Sequence, residues 1–172
     1  MNPLNRWTRT GAALLLLNTA SWIPGAAAQA ADMNSPLAGS WTLVAADVLH
    51  ADGSRGHDYG AAPIGRLLID SQGHYSLQIF KSERARFASP DKAKGTAAEF
   101  ESAILGASSH YGSVSVDDDG HVLTFRIEGS SFPNWEGTQQ QRRFELKGDE
   151  LSYQVPPRPN GDIPLSVWRR LN

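Results

Sequence analysis

Across 172 residues, 16 basic side chains stand against 18 acidic ones, and there is no cysteine. So mild a charge balance gives no reason to expect nucleic acid as a partner, and the missing thiol excludes disulfides, thiol catalysis and cysteine-ligated zinc. Stability must therefore come from packing and hydrogen bonds, in a chain whose length suits one domain with one hydrophobic core.

The chain opens with Arg6 and Arg9 ahead of the apolar run "GAALLLLNTA", and Ala28 and Ala30 then supply small residues at the Ala-x-Ala spacing that a signal peptidase reads. A membrane anchor would need about 20 continuous apolar residues, and Asn18, Thr19, Ser21 and Pro24 interrupt this run. We expect residues 1–30 to be a secretory signal peptide cut after Ala30, residues 31–36 a short linker, and the product an exported, periplasmic protein. No second apolar run of spanning length follows, so no membrane span is expected after cleavage. The mature chain of 142 residues keeps 14 basic and 18 acidic side chains, a net charge of −4, because the leader carries two arginines and no acid.

From Ser40 onward apolar residues recur at every second position, with turn residues between the runs, and this is the pattern of half-buried strands. Eight candidates follow in order: "SWTLVAADVL", "IGRLLID", "HYSLQIF", "YGSVSV", "HVLTFRIEG", "QQQRRFEL", "ELSYQV" and "PLSVWRR". Asp70-Ser71-Gln72-Gly73, Asp117-Asp118-Asp119-Gly120 and Lys147-Gly148-Asp149 have the Asp/Gly chemistry of tight turns. One interval breaks the pattern. In "TAAEFESAILG", Thr96 and Glu99 have capping-box spacing, Ala97, Phe100 and Ile104 recur at helical spacing, and Gly106 offers a C-cap, which predicts one short amphipathic helix before the fourth strand. The basic stretch "KSERARFASPDKAKG" before it reads either as a solvated loop or as a movable flap over a site.

Eight mainly antiparallel strands form either a sandwich or a closed barrel, and closure removes the exposed edges. A barrel pairing the first and last strands would lay Arg169 or Arg170 over the Trp41 indole. The words "LAGSWTLVAAD", "YGAAPIGRLLIDSQGHYSLQI", "GTAAEF", "YGSVSVDDDG", "IEGSSFPNWEGTQQQRRFEL" and "VWRR" fall in order from Leu37 to Arg170, and with them the chain resembles the bacterial lipocalin-like domain family. The resemblance implies an all-β, calycin-type barrel of eight strands over residues 37–172. It supplies no catalytic set.

Candidate chemistry rests on strand parity. In "TQQQRRFEL", Phe144 and Leu146 should face the core, which puts Arg142, Gln140 and Thr138 on the same side and Arg143 on the other. A buried guanidinium needs an acceptor. In "HVLTFRIEGS", Leu123, Phe125 and Ile127 form one face, and Arg126, Glu128 and Ser130 lie on the other; Glu128 is either solvated or, if the cavity is polar-lined, the partner of Arg142. Between these strands, Pro133 stops a central strand and Phe132 and Trp135 can fold over an apolar opening, with Asn134 turned inward or capping the loop. The loop "SFPNW" is a barrel mouth or a structural plug. Tyr59, Tyr75 and Tyr111 can add hydroxyls to a pocket. The five histidines show no metal-binding spacing, and neither a metal nor a cofactor is implied. Three readings result. One is a barrel binding a small, largely apolar molecule through Arg142, Glu128, Asn134, Trp135, Gln140, Tyr75 and Tyr111; the second is a cofactor-free isomerase, cyclase or lyase in which Glu128 or Tyr111 moves a proton; the third is an interaction protein without a pocket, its barrel filled by large side chains.

Overall fold

The structure, a computed structural model, describes residues 35–172 except 118; the expected signal peptide and most of the expected linker lie outside the described residues. Among the described residues nine strands follow in chain order: β1 (Gly39–Leu49), β2 (Arg55–Gly56), β3 (Ile64–Ile69), β4 (His74–Phe80), β5 (Ala107–Val116), β6 (Val122–Ser130), β7 (Gln139–Lys147), β8 (Glu150–Gln154) and β9 (Ile163–Arg170). An α-helix, α1 (Ala97–Leu105), lies between β4 and β5. Every pairing is antiparallel, in the order β1-β3-β4-β5-β6-β7-β8-β9, and β9 pairs back on β1 from Trp41↔Arg170 to Leu49↔Ile163. Eight strands thus close a barrel, and β2 is a two-residue ribbon on the far end of β1. The helix follows β4 and precedes β5, the strand that holds "YGSVSV"; it comes after the fourth strand in chain order rather than before it because β2, too short to leave an alternation, went unpredicted and shifts the count by one.

Alternation turns into burial directly. Along β4, Tyr75, Leu77 and Ile79 are buried while His74 and Gln78 are exposed; along β6, Leu123, Phe125 and Ile127 are buried while Arg126 and Glu128 are exposed. Three tight turns, at Asp70–Gly73, Asp117–His121 and Gly148-Asp149, join strands at one end of the barrel. That end is filled by Trp41, Trp168, Leu67, Leu123 and Leu151, all fully buried, under Leu37. The four connections at the other end are each eight residues or longer.

Closure is made by Arg170. Its guanidinium carbon lies 4.0 Å from the Trp41 ring centroid, and its nitrogens donate to the carbonyls of Ala38 (2.7 Å) and Pro36 (2.6 Å). Arg169 is exposed and takes no part. A Cβ on Gly39 (φ 138°) would sit 2.8 Å from an Arg170 nitrogen, so the residue before Ser40-Trp41 must be glycine for the cation to reach the indole. A second glycine is fixed on β5. At Gly112 (φ 155°) the β5–β6 register shifts, and a Cβ would meet the Arg126 carbonyl at 2.0 Å.

The helix is capped as its spacing requires: the Thr96 hydroxyl accepts from the Glu99 amide at 3.3 Å and the Glu99 carboxylate accepts from the Thr96 amide at 2.7 Å. Its apolar face does not enter the core. Phe100 (41 % exposed) packs on Phe87 with centroids 5.4 Å apart, and Ile104 and Leu105 are also exposed.

Candidate functional site

At the open end the barrel encloses a cavity of about 710 Å³, within the range of about 300–1,000 Å³ typical of small-molecule pockets. Leu77 and Ile79 of β4, Phe125 of β6, and Val155 and Pro164 beside the last hairpin give it an apolar wall. Arg142, His110, Gln140 and Tyr153 are among its polar groups, together with Asp47, Asp58 and Arg158. None of residues 81–105 contributes to the lining, and most of the basic stretch 81–95 is exposed to solvent.

Arg142 is inward and buried at 8 % exposure, set by the same parity that turns Phe144 and Leu146 in, while Arg143 is exposed. In register it faces Leu123, low on the wall. Its guanidinium donates to the Gln141 carbonyl at 3.1 Å and to the Gln140 side-chain oxygen, and its carbon lies 5.8 Å from the Phe125 centroid. Burial pushes its pKa down, against the phenols of Tyr153 and Tyr75. Thr138 lies before β7, exposed, with its hydroxyl donating to the Trp135 carbonyl at 2.6 Å, and so is not on the inner face.

Four expected site residues are corrected: Tyr75 is buried in the core and is not part of the cavity lining, and Glu128, Tyr111 and Asn134 lie outside it. Glu128 is exposed on the outer face of β6, because Leu123, Phe125 and Ile127 take the interior, and it does not meet Arg142. Tyr111 is 55 % exposed, and its ring lies across the outer surface of Gly129. Neither can act on a molecule in the cavity. Asn134 is exposed in the 3-10 turn Pro133–Trp135 and is not part of the lining. Trp135 is half-buried at the rim, its ring 6.0 Å from His110 and 5.5 Å from Phe132, so "SFPNW" is a short helical turn that hangs one indole over the mouth.

His110 is the residue that sequence reading missed. It is buried on β5, and its Nδ1 lies 2.7 Å from the Tyr75 hydroxyl. Burial, and then the Arg142 charge, lowers its pKa to about 4, so the imidazole is neutral at pH 7. Burial also raises the Tyr75 pKa, and that of Tyr153 to about 12. The signal was present: in "SSHYGSV", parity places His110 with Gly112 and Val114 on one face and Tyr111 on the other. The remaining histidines lie elsewhere, His74 on Asp70, His50 on Asp162, His57 on Asp47, and His121 exposed. Tyr59 lines the rim, and burial raises its pKa.

Comparison with known proteins finds no match among curated proteins. A lipocalin-like protein from Bacteroides uniformis ATCC 8492, known from its crystal structure, is similar at 14% identity and a TM-score of 0.44, over 80% of this chain and 100% of that one. The family model described as "Lipocalin-like domain" matches residues 38–170, from the glycine-tryptophan opening of β1 to the arginine that closes β9. The chain belongs to the lipocalin-like domain family.

Proposed function

We propose that this is an exported barrel that binds a small, largely apolar molecule in its cavity. The observation that carries the reading is the cavity itself, large enough for such a molecule, apolar over most of its wall and provided with a few convergent polar groups. Export rests on the charged, apolar and small-residue order of residues 1–30. Native mass spectrometry of the protein purified from its own host should show a noncovalent small-molecule adduct. Finding only the bare mass, with no apolar probe taken up by the purified protein, would remove the reading.

A second reading is favoured by one contact, the buried Tyr75 hydroxyl on the neutral imidazole of His110, which lines the cavity. Such a pair can relay a proton, so a cofactor-free isomerase, cyclase or lyase would use His110 in place of Glu128 or Tyr111. Recovery of the bound molecule unchanged after prolonged incubation separates binding from turnover.

A further inference from the structure

The charges around the cavity do not balance, and the imbalance sits on one side chain. Two carboxylates line the cavity, and each is already held by a cation of its own. Asp47 accepts from Arg55 Nε at 2.6 Å and lies 2.8 Å from His57 Nδ1; Asp58 accepts from Arg158 at 3.2 Å. Arg142 has no such partner among the described residues: its two hydrogen bonds go to neutral oxygens, the Gln141 carbonyl and the Gln140 amide. The groups around it cannot supply the missing charge. His110 carries none at pH 7, and burial keeps the Tyr75 and Tyr153 phenols protonated.

A guanidinium has five N–H donors in a planar fork that fits two carboxylate oxygens at once. Burying it without an anion is costly, and a barrel of this kind could fill the position with leucine or methionine instead. Gln140, held in place by the same guanidinium, fixes the fork against the wall while the remaining donors stay uncommitted. The Phe125 ring lies beneath it, with Tyr75 and Tyr153 packed around that ring at centroid distances of 4.8 Å and 6.0 Å. A cation is thus presented at the lower wall of an apolar chamber.

We infer that the molecule taken up carries a carboxylate, which docks on Arg142, and an apolar body that fills the chamber towards Trp135. This rests on the cavity-binding reading above and adds the chemistry of the head group. The apolar body is either an aliphatic chain or an aromatic ring system; the carboxylate is common to both.

The test uses N-phenylnaphthylamine, a neutral fluorescent probe, and displaces it at neutral pH with two matched pairs, lauric acid against lauryl alcohol and naphthoic acid against naphthalenemethanol. The expected result is that the probe binds and that at least one acid displaces it at roughly tenfold lower concentration than its alcohol, as a charge-assisted pair should. Arg142→Met should bring acid and alcohol within about twofold while still binding the probe, and Arg142→Lys, which keeps the charge without the fork, should retain part of the preference. Equal displacement by acid and alcohol in the unaltered protein overturns the head-group assignment and leaves the cavity reading standing. That comparison needs no variant, so it decides even if Arg142→Met does not fold. A preference that survives intact in Arg142→Met overturns it as well. If neither the probe nor any of the four compounds binds, the cavity reading and the head group fall together.

Discussion

At the scale of single residues, parity is the physics that both succeeds and misleads. It turned Arg142 inward from the sequence alone, because Phe144 and Leu146 leave a regular strand no choice. It left Glu128 open because an arginine on one strand invites an acid on the next, yet three large apolar side chains on β6 outweigh that pairing. His110 escaped because it stands one residue before the predicted strand "YGSVSV", and its parity with Gly112 and Val114 shows only once the strand is extended back through it. Its burial has a measurable consequence. The unfolded chain takes up a proton on this side chain near the ordinary value of 6.5, whereas the folded one holds it off until about 4. Throughout that window the unfolded state binds more protons, so stability falls as pH falls, by about 3 kcal/mol from this group across the whole interval. Urea unfolding of the protein and of His110→Gln, compared at pH about 7 and about 4, should show the variant losing less. Equal losses would mean that His110 is no more shielded from protons in the folded state than in the unfolded one.

At the scale of elements, the helix separates what local sequence controls from what packing controls. Thr96, Glu99 and Gly106 determine where α1 begins and ends, and each acts within one turn. Whether its apolar face meets the core depends on the path of the chain from β4 to β5, and no periodicity encodes that. Phe100 and Ile104 consequently pack on Phe87 and solvent instead of on the barrel. Thr96→Ala should therefore cost about 1 kcal/mol of helix stability, read as faster amide exchange in residues 97–105, with the unfolding midpoint of the barrel almost unmoved. A large drop in that midpoint would show that α1 and the barrel unfold as one unit. The two-residue β2 was beyond any pattern reading, since alternation needs about four residues to register.

For the whole molecule, legibility was greatest where distant segments must meet. The words around Trp41 and Arg170 stand at opposite ends of the domain, and only a closed barrel brings them into register. Replacing Arg170 with alanine removes the contact over the indole and two hydrogen bonds to backbone carbonyls, and should lower stability by about 1 to 2 kcal/mol. Arg169→Ala, at an exposed position, should leave the urea midpoint unchanged. Equal effects from the two would mean that the contact at Trp41 adds nothing to closure. The cavity, by contrast, was not legible: its volume depends on how far the inward side chains of eight strands reach, a property of the assembled set and of no single one.

The two ends of the barrel are built differently, tight turns and tryptophans at one and four long connections at the other. Lengthening a flexible connection costs little, about 0.6 kcal/mol for each doubling, whereas a residue added to a two-residue turn disturbs the pairing on both sides. Variation is thereby channelled. Insertions and substitutions around the mouth can remodel which molecules gain entry, while the end that carries the fold stays untouched. A scaffold so divided is well suited to diversification, because new selectivity can arise without first sacrificing the ability to fold.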